Sequence, residues 1–169
     1  MGSEQRKAVT INVTGFKKFQ GGVARSRTAG DGALPVLYKL HLGVDGGAEK
    51  FALERQAVNE ATFFCPDELG WQPMQQPIVA EDGEIPRKRE TTCSIEAILK
   101  FLKDKGYDAR ISNDAGLFVC NYVYYHSLRF AEQKGHKSLF VHVPLFSTIN
   151  EEKEMQFVAS LLEAIASTC

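Results

Sequence analysis

Apolar residues in this chain recur in two rhythms. Behind Ser94, the residues Ile95, Ile98, Leu99 and Leu102 fall three or four apart, which predicts an amphipathic helix capped by Ser94 and stopped by Gly106. Near the end of the chain Met155, Val158, Leu161, Leu162 and Ile165 repeat that spacing, and Thr148 and Glu151 stand at the distance of a capping box. Between the two, the residues predict a strand at Ala109–Ser112, a helix over 117–134 and a strand over 138–143. Upstream, the β-rich run 8–13 reads as a first strand ending at Thr14-Gly15. A short helix over 33–39, begun at Pro35, would feed a strand over 40–44 that turns at Asp45-Gly46-Gly47. Residues 20–32, rich in glycine, arginine and alanine, read as a connection. Residues 60–90 hold Pro66, Pro73, Pro77 and Pro86 and read as loop with room for one hairpin, the kind of segment that serves as a lid or binding surface. The β-α-β-α alternation of the second half predicts an α/β sandwich with a largely parallel sheet. Residues 1–169 make one domain behind a polar tail at 1–7, with no internal repeat.

The third helix-and-strand pair carries the candidate chemistry. Ala115-Gly116 breaks the strand before it, so Cys120 falls in the first helical turn, where unpaired N–H groups and the positive end of the helix dipole favour a thiolate. His142 falls at the end of the next strand. If the strands on either side of the helix are parallel, their carboxyl ends share one edge of the sheet, the usual ligand edge of an open α/β fold. Taken alone, the two residues fit a buried thiol and a core histidine better than a site.

Composition narrows the classes. The formal net charge is −1, with 24% charged and 44% hydrophobic residues, so no basic field points to nucleic acid or to an anionic membrane surface. No apolar run reaches membrane-spanning length, and residues 1–6 lack the apolar core of a signal peptide, from which a cytosolic protein is expected. Cys65, Cys93, Cys120 and Cys169 are far apart and form no C-x-x-C pair, which suits a reducing compartment and argues against a disulfide scaffold or a zinc site. Gly15 and Gly21-Gly22 are not followed by the G-K-S/T of a phosphate loop.

Four strings in one order give a further reading. Asp114 to Tyr125 (DAGLFVCNYVYY) resembles the AG-x-F/Y-x-C-N/D-x-x-x-Y signature of the pyroglutamyl peptidase I family of cysteine peptidases, and Val141 to Pro144 (VHVP) resembles its histidine strand. Leu53 to Asn59 (LERQAVN) is similar to its glutamate motif, and Thr14-Gly15-Phe16 through Phe19 to its N-terminal T-G-F-x-x-F loop. Pro66 to Trp71 (PDELGW) is similar to the plant-like version of the family. The resemblance implies a three-layer α/β/α sandwich with an open, largely parallel sheet. It also implies a cysteine exopeptidase that removes N-terminal pyroglutamate from peptides, with no metal or cofactor. Cys120 would be the nucleophile, His142 the base and acid, and Glu54 the carboxylate that orients the imidazole. Phe16 and Phe19 would supply apolar walls for the uncharged lactam ring.

Two departures from the pattern stand out. The family's long segment after the first loop, with its turn, strand and helices, has no room between Gly22 and Thr28 or between Lys39 and Leu40, so a form shortened by about one strand and one to two helices is expected. Uncovered sheet faces would then favour association with further copies. Phe64 stands where many relatives have arginine, and phenylalanine cannot donate a hydrogen bond; Arg55 or backbone N–H groups would have to serve instead. The competing expectation is a weak or inactive form acting as a binding protein.

Overall fold

Strands whose alternate residues face opposite sides of one sheet organise the molecule. A computed structural model of the chain describes residues 10–16 and 37–168. Its main sheet has five strands, β1 (Thr10–Phe16), β2 (Leu37–Val44), β3 (Phe51–Glu54), β6 (Ala109–Ser112) and β7 (Lys137–Val143), in the order β1-β2-β7-β3-β6. The pairs β1–β2, β2–β7 and β3–β6 are parallel, and β3–β7 is antiparallel. A small antiparallel ribbon joins β4 (Gln56–Val58) to β5 (Lys88–Glu90).

Helices cover both faces of the main sheet. On one side α1 (Ile95–Asp104) and α3 (Glu151–Ser167) pack Ile95, Ile98, Leu102, Phe157, Leu161 and Ile165 against Leu40, Leu53, Leu139 and Val141. Each such side chain, once taken from water, contributes roughly 1.5–3 kcal/mol. Phe51 stacks on Phe157 with ring centroids 3.6 Å apart, and Tyr107 meets both rings edge-on. On the other side lies α2 (Val119–Lys134), with Tyr124, Tyr125 and Leu128 buried against Phe140, Ala57 and Val79. The three-layer α/β/α sandwich with a largely parallel sheet is therefore observed.

Several local expectations change. Residues 37–39 belong to β2, not to a helix: Leu37 pairs with Thr10 and Lys39 with Ser138, and Tyr38, Leu40 and Leu42 turn to the apolar cluster in strand alternation. The strands flanking α2 are neither neighbours nor parallel. β3 lies between β6 and β7, parallel to the first and antiparallel to the second. The cap of α3 is Asn150, whose side chain accepts the Lys153 N–H, in place of Thr148. Met155 is 66% exposed, because the buried face of α3 runs through Phe157, Leu161, Ala164 and Ile165. Residues 60–87 are mainly irregular, with a 3-10 turn at Ala80–Asp82 and an isolated bridge between Ala61 and Gln76, and residues 88–90 form β5. The segment in which shortening is expected falls largely outside the described residues, while β2 runs unbroken through Lys39 and Leu40.

Candidate active site

The same alternation that sends Leu139, Val141 and Val143 to one core sends Ser138, Phe140 and His142 to the α2 face. On that face His142 stands beside Gly43 of β2 and Ala52 of β3 in the strand register. Glu54, two residues beyond Ala52, faces the same side. Its Oε1 lies 2.8 Å from His142 Nδ1, and the two side chains are only 2% and 10% exposed. Antiparallel β3 is what brings this carboxylate beside β7. The Tyr124 hydroxyl of α2 donates to the Glu54 carbonyl oxygen at 2.8 Å, which fixes the helix against the strand that bears the acid. Burial pushes the Tyr124 hydroxyl far above its ordinary value, so it remains a donor.

Cys120 is the second residue of α2 and is half-buried. The chain reaches it through Ser112 to Asp114, where the Gly116 N–H bonds the Asp114 carboxylate at 2.9 Å and Gly116 turns with φ of 79°, a conformation that costs glycine nothing. The first internal bond of the helix runs from the Tyr122 N–H to the Phe118 carbonyl, so the N–H groups of Val119, Cys120 and Asn121 precede the ladder. Burial alone would lower the His142 pKa, but hydrogen bonds from the ring to Cys120 and to Glu54, with the charges of both, push it up to about 9. The carboxylate beside Nδ1 thus favours the charged imidazole. The other Glu54 oxygen, Oε2, is buried and has no hydrogen-bond partner among the described residues, so His142 is the carboxyl group's sole polar contact there.

Gly43 and Phe140 also shape this place. A Cβ on Gly43 would sit 2.6 Å from Phe140 Cζ, closer than packed atoms approach, and 3.1 Å from Cys120 Sγ, a tight contact, so glycine makes room for the ring and eases the fit of the thiol. Phe140 stands 4.9 Å from the His142 ring and 5.6 Å from that of Tyr124, between centroids. The sequence held a signal for both: a glycine inside a strand marks close approach, and Phe140 is two residues from His142.

The loop after β4 is tied to the start of α2. Asn121 accepts the Val58 N–H at 2.9 Å and donates to the carbonyls of Val58 and Glu60, while Thr62 N–H bonds Leu117 O. Further along, the Asp82 carboxylate receives Arg89, Tyr125 and Arg129, at 2.7, 2.8 and 3.3 Å. Its burial would raise the Asp82 pKa, but those bonds hold it down at about 2.

Of the residues that the sequence singles out, Glu54, Cys120 and His142 come together on one face. Phe16 ends β1 opposite Gly43 in the register, and Phe19 lies outside the described residues. Arg55 pairs with Glu96 at 2.9 Å, and Phe64 is 80% exposed with its ring 4.5 Å from that of Phe118. Among the described residues there is no cluster of three or more metal-ligating side chains, and no helix is long and apolar enough to cross a membrane.

Comparison with known proteins follows the same outline. A family model described as pyroglutamyl peptidase matches residues 33–166. The pyrrolidone-carboxylate peptidase of Pyrococcus furiosus is 38% identical over 107 residues, covering 62% of this chain and 50% of the relative. That of Klebsiella pneumoniae is 40% identical over 104 residues, covering 61% and 47%. The chain thus spans about half the length of the curated relatives it matches. Among solved structures, pyrrolidone carboxyl peptidase from Pyrococcus furiosus superimposes with a TM-score of 0.68 at 32% identity, over 76% of this chain and 68% of that one. The Thermococcus litoralis structure gives 0.69 at 27% identity, over 77% and 66%.

Proposed function

Since this chain belongs to the pyroglutamyl peptidase family, we propose that it is a cysteine exopeptidase releasing N-terminal pyroglutamate from peptides, and that Cys120, His142 and Glu54 carry the reaction. The observation behind this is the buried 2.8 Å contact of His142 with Glu54 on the face where Cys120 Sγ lies against Gly43, the register partner of His142. Cys120 Sγ, its proton held on His142, attacks the pyroglutamyl carbonyl. The oxyanion that forms is met by N–H groups of the first turn of α2. His142 then gives its proton to the departing amine, and the C–N bond breaks to leave a thioester on Cys120. A water molecule, deprotonated by His142, hydrolyses the thioester, returning free pyroglutamate and the thiol. Glu54 holds the imidazole in one orientation and favours its charged form.

The substrate ring is a neutral lactam, so its recognition rests on apolar walls, for which Phe16 and Phe19 are the proposed residues. The proposed setting is the cytosol, where a thiol stays reduced. The deciding experiment is hydrolysis of a pyroglutamyl amide with a fluorescent leaving group by the purified protein. Turnover that an alkylator abolishes is the expected result; no turnover would sink this reading and leave a binding protein.

A further inference from the structure

The loop joining β4 to the 3-10 turn carries an aromatic cluster that the chemistry above does not use. Phe63 is fully buried and meets Phe118, Trp71 and Tyr122 at centroid distances of 4.7, 5.2 and 6.3 Å. Phe64, the next residue, covers the Phe118 ring at 4.5 Å yet remains 80% exposed. Phe118 is the cap residue of α2, two positions before Cys120. The platform is therefore built on the nucleophile's own helix start, and the Thr62 N–H to Leu117 carbonyl bond at 3.0 Å pins the loop there.

Resting on the exopeptidase reading of this site, we infer that Phe64 and Phe118 form the surface that receives the side chain of the residue following pyroglutamate, and that this residue is preferentially apolar or aromatic. An exopeptidase that removes one residue must let the rest of the peptide leave the site towards solvent. The ring of Phe64 is an exposed apolar surface continuous with Phe118. What sets Phe64 apart from the other exposed apolar residues, such as Phe146, is that its ring lies against the residue that caps the Cys120 helix. Charge points the same way. Residues 58–78 contain no lysine or arginine but hold Glu60, Asp67 and Glu68, so an acidic side chain finds no cation on this loop and a local excess of carboxylates. Glu60 and Asp67 are engaged locally, with the Thr62 hydroxyl and with the N–H groups of Leu69 and Trp71, and so are fixed near the platform.

The test uses the full chain in two arms. Trp71 is the single tryptophan of the chain and belongs to the cluster, so its fluorescence reports binding. In Cys120→Ser protein, the amides of pyroglutamyl-phenylalanine, pyroglutamyl-alanine and pyroglutamyl-glutamate are titrated. The phenylalanine compound should bind roughly 5-fold or more tighter than the alanine one, and the glutamate one weakest. Phe64→Ala should erase the first difference, while Phe64→Leu should keep part of it. In wild-type protein, kcat/KM should follow the same order, with the change in KM rather than kcat. Equal binding of the three compounds, no binding of the phenylalanine compound, or a preference that survives Phe64→Ala would overturn the inference. Failure of the exopeptidase reading looks different: no turnover by wild type of any pyroglutamyl amide, with the binding preference intact in Cys120→Ser. Because Phe64 is exposed, its replacement should leave the denaturation midpoint in place, and an equal loss for all three compounds would also count against the platform.

Discussion

The two faces of the main sheet are made by the same strands and have opposite character. Towards α1 and α3 the strands present Tyr38, Leu40, Phe51, Leu53, Leu139, Val141 and Val143, an apolar layer closed by Phe157 and Leu161. Towards α2 they present His41, Glu54, Ser138 and His142, all buried, with Phe140 as the apolar residue among them. There His41 lies 2.7 Å from the Ser127 hydroxyl, which lies 2.8 Å from that of Ser138, and burial lowers the His41 pKa to about 4, so this second histidine is neutral. One face supplies the burial energy, and the other spends part of it on desolvated polar groups that must find partners. The two histidines on the α2 face are shifted in opposite directions, because burial and the Lys39 charge lower His41 while the carboxylate and thiol beside His142 outweigh its burial.

The sharpest way to break this division is at the thiol. Cys120→Ser should reduce pyroglutamyl-amide hydrolysis by on the order of 10³-fold or more while leaving the denaturation midpoint nearly unchanged, whereas Cys65→Ser and Cys93→Ser should retain most activity. Activity surviving in Cys120→Ser would remove the α2 face from the chemistry. The mirror experiment is Phe157→Ala, which deletes the ring stacked on Phe51 and should cost about 3–5 kcal/mol of stability in denaturant titration. If the folded fraction of that variant lost activity as steeply as Cys120→Ser, the two faces would not be separable. Gly43→Ala lies between the two. Its methyl must displace Phe140 or Cys120, so a loss of roughly 10-fold or more in kcat/KM with a smaller shift in stability is expected, and unchanged kinetics would mean that the thiol tolerates displacement.

The smallest effect is read in the pH profile. His142 is held up at about 9 from an ordinary 6.5, so its stabilisation is fully present below 6.5 and is lost as pH rises through 9. The alkaline limb of kcat/KM should therefore fall near pH 9, and Glu54→Gln should move it down towards 6.5. A limb that stays in place in Glu54→Gln would show that the carboxylate does not set the charge of His142.

Much of this was legible in the chain, for identifiable reasons. The α1 helix and β7 lie close to where their pattern puts them, because one has a strongly apolar face and the other a dense β-rich run, and β6 falls between Gly106 and Gly116 as expected. Strand β3 carries no strand signature in its sequence. All four of its residues are buried, yet Glu54 ends it, and a carboxylate interrupts the apolar signature of a central strand. Its direction was also hidden, since orientation is set by a connection of over fifty residues from Arg55 to Asp108 and not by local pattern. Leu37 to Lys39 lie just after Pro35, which suggested a helix start; their partners in β1 and β7, distant in sequence, make them strand. The spacing from Val158 puts Met155 on the apolar face, but Asn150 sets the first turn and the buried stripe passes through Phe157. Cys120 and His142 were visible as single residues, and what could not be seen was that Glu54 reaches them from an antiparallel neighbour.

Asp82 gives the long loop after β4 a property of its own. Its carboxylate gathers Arg89 from β5 with Tyr125 and Arg129 from α2, and Arg89 also meets Glu132. At the other end of the same stretch Asn121 holds Val58 and Glu60. Loop, ribbon and helix are therefore tied at both ends, so that detaching any one of them breaks bonds to the others. Acid is the lever on the first of these ties. The contribution of Asp82 is complete above its ordinary 3.8 and disappears as pH falls through about 2, so the segment that bears Cys120 keeps this tie at any pH above that range.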